Sequence, residues 1–208
     1  MEIKGASVFA PTIPTSCKTL ESSIRYIIEL IKAQDLYNCI LVGHSFGGMV
    51  ISGVADRIKP RIKKAIFLDA AVPSNGDDFA SHIVGISDQD AEQRRQTFKA
   101  LSKDGVWITP LSAQLAGITN TNDIEYVNTH SRPFRLSDWL EPIIFETGGL
   151  TAIAKTYILS IAPPTNVMGY PTHGAVAKQS EEWVYREIDC GHAAMLIKPK
   201  EVAKLLME

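Results

Sequence analysis

Short apolar runs alternate with helix-like segments along most of the chain. Runs over residues 7–10, 39–42 and 65–68 are typical of buried strands, and two more follow at 156–159 and 183–188. Because strands that alternate with helices favour a parallel sheet, the pattern predicts an α/β fold. In that fold a mostly parallel sheet is flanked by helices.

Three segments fit the helices of this alternating pattern, and one long interval departs from it. Apolar residues at helical spacing predict amphipathic helices over residues 20–31 and 49–58, and a closing helix from Pro199. Residues 74–144 interrupt the rhythm, because they are polar and mostly helical in pattern, above all over 91–103. We interpret this interval as an inserted helical lid, which leaves residues 1–73 and 145–208 as the core.

A serine between two glycines directly follows the second apolar run. Residues 43–47 read Gly-His-Ser-Phe-Gly, with a strand pattern before them and a helix pattern after them. Such a short pattern also arises by chance in loops, but this context is that of a nucleophile elbow, a sharp strand-to-helix turn that exposes the serine hydroxyl. We expect that Cβ atoms at Gly43 and Gly47 would collide or forbid the required dihedral angles. Ser45 is therefore the predicted nucleophile.

Composition narrows the class of protein. The 208 residues suit one domain, 45% of them are hydrophobic and 21% charged, and the formal net charge is -2. Such a balance gives no electrostatic reason to expect nucleic acid or an anionic membrane as partner. No apolar stretch approaches the roughly 18 residues of a membrane span, and the N-terminus lacks the pattern of a signal peptide. The three cysteines lack metal-ligand spacing, so we expect a reducing, cytoplasmic location and no metal site.

A serine hydroxyl needs a general base and an acid that orients the base. In hydrolases with this elbow, the acid follows the serine along the chain and the histidine base follows the acid. His192 lies between the last predicted strand and the closing helix. A loop there reaches the carboxyl edge of the sheet, where the elbow also lies, so His192 is the predicted base. His173 is the alternative base. If it has no catalytic role, we expect it to be an exposed histidine in a loop. The other histidines are inside the elbow, facing away from the serine, or in the lid: His44, His82 and His130.

Three segments together resemble the α/β-hydrolase superfamily, namely residues 43–48, 66–73 and 191–196. They are most similar to the small esterase and hydroxynitrile-lyase group that includes plant methyl-salicylate esterases and many bacterial proteins. The resemblance runs from about residue 7 to the C-terminus and is weakest through the lid. It implies an α/β-hydrolase fold, a small-molecule ester as substrate, and neither a metal nor an organic cofactor.

The acid departs from the common pattern of that superfamily. Most members carry it after the penultimate strand, but residues 160–166 contain no carboxylate. Pancreatic-type lipases instead place it at the end of the strand that follows the elbow, where this chain has Asp69. Asp69 could accept a hydrogen bond from the imidazole nitrogen that faces away from Ser45, or it could only brace its own loop. The weaker candidates are two lid residues and one at a strand end: Asp138, Glu141 and Asp189.

The sequence identifies only one of the two expected donors of the oxyanion hole. The N–H group of Phe46, the residue after the nucleophile, is the expected first donor. In the resembled group a second donor comes from a His-Gly loop after a more N-terminal strand, and this chain has no such segment. Either the chain begins late relative to its relatives, or strands 7–10 and 39–42 pair directly. Loss of one donor typically lowers turnover by about 10²–10³, so the triad alone does not predict an efficient enzyme.

The leading hypothesis is a serine hydrolase that cleaves a small carboxylic ester through an acyl-enzyme, with Ser45, His192 and Asp69 as its triad. Aromatic residues in or beside the lid would line an apolar pocket or form the lid's core: Phe79, Phe98, Trp107, Trp139 and Phe145. Two alternatives stay open. One is a hydroxynitrile-lyase-like reaction on the same triad, and the other is a weakly active or inactive binding protein of hydrolase descent.

Overall fold

The computed structural model describes residues 6–110, 112–163 and 169–208. Its strands are β1 (Cys39–Ser45), β2 (Ile62–Ala70), β3 (Trp107–Ile108), β4 (Phe134–Arg135), β5 (Ala154–Ser160) and β6 (Trp183–Ile188). Four of them form one parallel sheet in the order β1-β2-β5-β6, and β3 and β4 pair as a separate antiparallel ribbon. The predicted parallel α/β sheet is confirmed, whereas the ribbon was not predicted.

The helices account for most of the remaining regular structure. They are α1 (Leu20–Ala33), α2 (Gly47–Arg57), α3 (Asp88–Leu101), α4 (Thr121–His130), α5 (Leu136–Leu140), α6 (Tyr170–Gln179), α7 (Ala194–Ile197) and α8 (Pro199–Leu206). The helices predicted over 20–31, 49–58 and from Pro199 are confirmed as α1, α2 and α8. Within the described ranges, no helix combines the length and the apolar character that crossing a membrane requires.

The strand predicted at residues 7–10 is wrong. This segment belongs to neither sheet, and Val8 and Phe9 are 48% and 51% exposed. Pro11 and Pro14 follow closely, and because proline lacks the N–H group that a ladder needs, the run cannot extend into a longer strand. The direct pairing suggested between this run and the elbow strand therefore does not form, and β1 pairs with β2.

The two faces of the sheet have separate apolar cores. Along β2, Ala65 and Phe67 face one side and Ile66 and Leu68 the other, and all four are buried. The first face packs against α1, α2 and α6, and the second against α8. A central parallel strand is covered on both sides, which explains why β2 reads as a continuous apolar run rather than an alternating one.

Part of the interval predicted to form a lid, residues 74–144, packs on the first of these faces. Phe79, Phe98 and Trp139 are buried in the same cluster as α1 and α2, with Phe98 and Trp139 ring centroids 4.8 Å apart. A short ion pair between Arg95 Nε and Asp78 Oδ2, 2.5 Å, ties α3 to the segment before it. The division into core and lid stays a prediction, because this interval shares its apolar core with the sheet.

Candidate active site

The predicted elbow is a tight turn between β1 and α2. Ser45 is the last residue of β1 and has a φ of 56°, in the left-handed region that non-glycine residues rarely adopt. The pairing register with β2 shifts between His44 and Ser45, so the backbone leaves the ladder there. A Cβ atom on Gly43 would lie 2.7 Å from the Gly47 carbonyl oxygen. Glycine at 43 thus permits the turn that holds the serine in this conformation.

The steric prediction holds at Gly43 but not at Gly47. A Cβ atom at Gly47 would have no neighbour within 4 Å, and its φ is not positive. The crowded glycine is Gly48, where a Cβ atom would lie 2.0 Å from the Ala71 carbonyl oxygen. Gly48 therefore lets the first turn of α2 lie directly against the backbone that leaves β2, a contact that the sequence motif alone does not reveal.

Asp69 and His192 meet at the carboxyl edge of the sheet. Asp69 lies near the end of β2, is 4% exposed, and its Oδ2 is 2.6 Å from His192 Nδ1. Because an ionised carboxylate can only accept, His192 Nδ1 carries the proton and donates it to this hydrogen bond. The second oxygen, Oδ1, accepts from the N–H of Ser160 at 3.3 Å. This is the orientation that leaves His192 Nε2 free to act as a base.

Contacts from two other segments hold the loop that carries His192. The N–H of Ala193 donates to the Ala116 carbonyl at 3.0 Å, and the α-carbons of Gly191 and Gly117 lie so close that a Cβ on either would clash. From the elbow side, His44 Nε2 donates to the carbonyl oxygen of His192 at 2.9 Å.

His44 has a positioning contact that the sequence did not suggest. Burial and the neighbouring His192 imidazole lower the pKa of His44 to about 3, so its ring stays neutral. Since a carbonyl only accepts, the Nε2 of this neutral ring bears the proton. The rings of His44 and His192 are 4.2 Å apart. His44 therefore fixes the backbone of the loop whose side chain pairs with Asp69.

The hydroxyl of Ser45 contacts a tyrosine. Ser45 Oγ is 3.0 Å from Tyr170 Oη, and no hydrogen bond within the described ranges joins Ser45 to His192. Tyr170 is the first residue of α6, and its ring stacks on that of His192 with centroids 5.2 Å apart and planes inclined by 12°. Burial raises the pKa of Tyr170. Sequence reasoning missed this residue, because no motif marks it.

The alternative base forms no hydrogen bond with Ser45 among the described residues. His173 is buried in α6, which corrects the prediction of an exposed loop position, and its Nε2 shares a hydrogen bond with His82 Nδ1 at 3.0 Å. Burial lowers the pKa of both rings, to about 4 for His173. His130, by contrast, is exposed at the end of α4.

The three weaker acid candidates form no hydrogen bond or ion pair with His192 in the described part of the chain. Asp138 is half-buried on α5, and burial raises its pKa to about 6. Glu141 accepts a hydrogen bond from the N–H of Glu21, and Asp189 is exposed just beyond β6.

Of the five aromatic residues considered for a pocket, Phe79 approaches the elbow. Its ring makes an edge contact with that of Phe46, with centroids 5.3 Å apart. Trp107 instead packs under the guanidinium of Arg135, while Phe98 and Trp139 are buried beside Phe79. Across the described ranges, no group of three or more His, Cys, Asp or Glu side chains could hold a metal ion.

A parallel sheet with a strained serine at one strand end, and a carboxylate–histidine pair beside it, is the arrangement that characterises α/β-hydrolases. The model of the alpha/beta hydrolase family matches residues 9–205. The chain therefore belongs to the alpha/beta hydrolase family.

Known relatives agree with this assignment. A carbendazim hydrolyzing esterase from Nocardioides sp. (strain SG-4G) is 32% identical over 191 residues, which cover 90% of this chain and 78% of that protein. An extracellular alpha/beta-hydrolase from a Paenibacillus species, described as sharing structural and functional homology with tobacco salicylic acid binding protein 2, superposes with a TM-score of 0.74. It is 22% identical, and the match covers 93% of this chain and 80% of that one.

A second solved structure extends the comparison. Polyneuridine aldehyde esterase has a TM-score of 0.65 at 19% identity, with 92% of this chain and 80% of that chain covered. At this identity the two solved structures show a shared fold. The activity follows from the family match and the esterase relative, which identify the chain as a carboxylic ester hydrolase of the α/β-hydrolase superfamily.

Proposed function

We propose that this protein cleaves a small carboxylic ester through a covalent acyl-enzyme, with Ser45 as nucleophile, His192 as general base and Asp69 as the acid that orients it. The observation that carries the proposal is the 2.6 Å hydrogen bond between Asp69 Oδ2 and His192 Nδ1. It lies at the strand edge where the elbow presents Ser45.

The first half of the reaction forms the acyl-enzyme. The Ser45 side chain turns from Tyr170 toward His192, whose Nε2 takes the hydroxyl proton as Oγ attacks the ester carbonyl. The carbonyl π electrons move to the oxygen, and the Phe46 N–H stabilises the resulting negative charge. In the described part of the chain this N–H has no hydrogen-bond acceptor, so it is free for that role. Collapse of the intermediate breaks the carbon–oxygen bond to the alcohol, which leaves with the proton from His192.

The second half regenerates the serine. Water attacks the acyl carbon while His192 removes its proton, and the acid product departs as Oγ recovers a proton from His192. Throughout, Asp69 holds the Nδ1–H of the imidazole, so the base keeps one tautomer and one orientation. Every bond change and proton transfer in this scheme takes place among Ser45, His192, water and the ester.

The substrate is proposed to be small and largely apolar near the reacting carbonyl. Ser45 and Phe46 are half-buried, and Phe79, in contact with Phe46, is fully buried. No charged side chain among the described residues contacts the Ser45 hydroxyl. Carbendazim, named for the Nocardioides relative, is a reasonable first candidate beside simple activated esters. A cytoplasmic location stays a prediction from cysteine usage.

A fluorophosphonate probe tests the proposed nucleophile. The purified protein should become covalently labelled and should hydrolyse p-nitrophenyl acetate, and Ser45→Ala should abolish both. Ser52→Ala is the matched control, because its hydroxyl donates to the Gly48 carbonyl within the next helix and plays no part in the mechanism. Labelling that survives in Ser45→Ala would sink this mechanism.

Two further measurements address the alternative reactions. Hydrolysis that falls to background in His192→Ala supports the triad and counts against a binding protein. Release of cyanide from a cyanohydrin such as mandelonitrile, without hydrolysis of p-nitrophenyl acetate, would instead favour the lyase reaction.

A further inference from the structure

The proposed mechanism assigns one oxyanion donor, the Phe46 N–H, whereas sites of this kind ordinarily use two. A candidate for the second must lie next to Ser45 Oγ, because the oxyanion is bonded to the same carbon that Oγ attacks. The side chain in hydrogen-bond contact with Oγ is Tyr170, through its hydroxyl at 3.0 Å. We propose that the Tyr170 hydroxyl is the second oxyanion donor, an inference that rests on the proposed ester hydrolysis.

The ring of Tyr170 is buried and stacks with two histidine rings. It is 2% exposed, its centroid lies 5.2 Å from that of His192 and 6.1 Å from that of His82, and the planes are inclined by 12° and 6°. A rotation of the whole side chain would disrupt both stacks. The hydroxyl hydrogen, by contrast, can turn about the Cζ–O bond without moving a heavy atom.

The backbone of Tyr170 is anchored as well. Its carbonyl oxygen accepts a hydrogen bond from Tyr157 Oη at 3.2 Å, and the same hydroxyl lies 3.0 Å from the Ala70 carbonyl oxygen. Tyr157 therefore links the start of α6 to the end of β2, one residue beyond Asp69. A donor fixed in this way before the reaction stabilises developing charge without reorganisation, which is where oxyanion holes gain most of their effect.

The protonation state suits a donor. Burial raises the pKa of the Tyr170 phenol above its ordinary value, so the hydroxyl keeps its proton at every pH at which the enzyme would work. A phenol is also a stronger donor than an aliphatic hydroxyl, and a buried tyrosine can serve an oxyanion in this way. When Ser45 turns to His192, the Tyr170 O–H loses its partner and becomes available to the new oxyanion.

The alternative role for the Tyr170 hydroxyl is a hydrogen bond to Ser45 that exists only in the free enzyme, referred to below as a resting contact. The two roles predict opposite results for Tyr170→Phe, which removes one oxygen and keeps the ring. Loss of an oxyanion donor should lower kcat by about 10²–10³ with little change in KM. Loss of a resting contact should leave kcat unchanged or raise it, because the nucleophile would then be free to meet His192.

The experiment compares wild-type protein, Tyr170→Phe and the control Tyr185→Phe, whose hydroxyl contacts Glu187 on β6, away from the elbow. Hydrolysis of p-nitrophenyl acetate and inhibition by an aryl boronic acid, which forms a tetrahedral adduct on serine, are measured for each. We expect kcat/KM and the affinity for the boronic acid to fall in parallel, by about 10²–10³, in Tyr170→Phe alone. A kcat that stays at the wild-type value or rises overturns the proposal.

Folding is checked by urea denaturation, since Tyr170 is buried. If Tyr170→Phe does not fold, 3-fluorotyrosine placed at position 170 retains the packing and makes the hydroxyl a stronger donor. A higher kcat/KM at an unchanged urea midpoint then supports the proposal, and an unchanged kcat/KM contradicts it. Failure of the proposed function looks different, because the wild-type protein would then neither hydrolyse the ester nor react with fluorophosphonate.

Discussion

Asp69 uses its two carboxylate oxygens for two different contacts. Oδ2 accepts from the imidazole of His192, and Oδ1 accepts from the backbone of Ser160 at the end of the neighbouring strand. The φ of Asp69 is 43°, a conformation that aspartate tolerates better than most residues. The hydrogen bond from Ser160 on the neighbouring strand thus helps to orient the carboxylate toward His192.

This arrangement makes Asp69→Asn a sharp test of the acid. The asparagine fits the same space, but its amide can present an N–H to His192 Nδ1 and favour the wrong imidazole tautomer. We expect kcat to fall by about 10⁴, the loss known for this substitution in the serine protease triad, with a much smaller change in KM. Hydrolysis of p-nitrophenyl acetate measures it. Asp77→Asn, in the loop after β2, is the control, and a loss below tenfold in Asp69→Asn would assign Asp69 to loop bracing only.

The residues of the candidate site differ in how visible they are in the sequence. Ser45 is marked by its glycines, and both His192 and Asp69 by their places at strand ends. Tyr170 and His44 carry no such signal, because their contacts depend on how α6 and the loop after β6 pack in three dimensions. Local sequence patterns therefore reveal the residues at strand ends and miss those that reach the site from neighbouring elements.

At the level of elements, the elbow depends on how closely α2 approaches β2. The carbonyl oxygen of Ala71 occupies the space that a side chain at Gly48 would need, and the N–H of Ala71 donates to the Ser45 carbonyl at 3.1 Å. Ala71 therefore cannot move away from Gly48 without disturbing its hydrogen bond to the elbow.

Gly48→Ala should consequently force α2 off the sheet. We expect a loss of about 1–3 kcal/mol in the free energy of unfolding, as for other overpacked sites, and reduced turnover because the Phe46 N–H moves with the helix. Gly47→Ala is the matched comparison, since no atom lies within 4 Å of the added methyl group. Its free energy of unfolding should be unchanged or slightly higher. Urea denaturation measures the free energy of unfolding of both variants. Equal losses of that free energy in the two would contradict the steric assignment.

The elements themselves were largely predictable. The strands that became β1, β2, β5 and β6 stood out because each is rich in β-branched, aromatic or other apolar residues. Central β2 is buried on both faces and contains an unbroken apolar run. The run at residues 7–10 has the same local appearance, yet it forms no strand, because pairing depends on a neighbour that a short sequence window does not contain. The β3–β4 ribbon has two residues in each strand, too few to produce any periodicity.

At the scale of the whole molecule, buried histidines set the response to acid. The pKa values of His44 and His173 are lowered to about 3 and about 4, and that of His82 is also lowered, each mainly by burial. The unfolded chain binds protons at these sites near pH 6.5, and the folded chain does so only at lower pH. Stability is therefore greatest above pH 6.5 and falls as the pH drops toward the folded values. Asp138, with its pKa raised to about 6, opposes this trend in part.

We therefore expect the free energy of unfolding to decrease by about 2 kcal/mol between pH 6.5 and 5.5, since each buried histidine contributes about 1 kcal/mol there and Asp138 offsets part of the sum. Urea denaturation at a series of pH values measures the slope. His173→Gln should flatten it, and His130→Gln, at an exposed position, serves as control. A free energy that stays constant over this interval would show that the histidines are not held neutral.

The left-handed backbone at Ser45 has a consequence for how such a protein can evolve. A non-glycine residue in that region costs of order 1–3 kcal/mol, and glycine would relieve much of it. Selection for robustness alone would then favour glycine at position 45, which would remove the proposed nucleophile. The serine persists under such selection only if its reactivity is itself under selection, so thermostability screens on this scaffold need a concurrent activity readout.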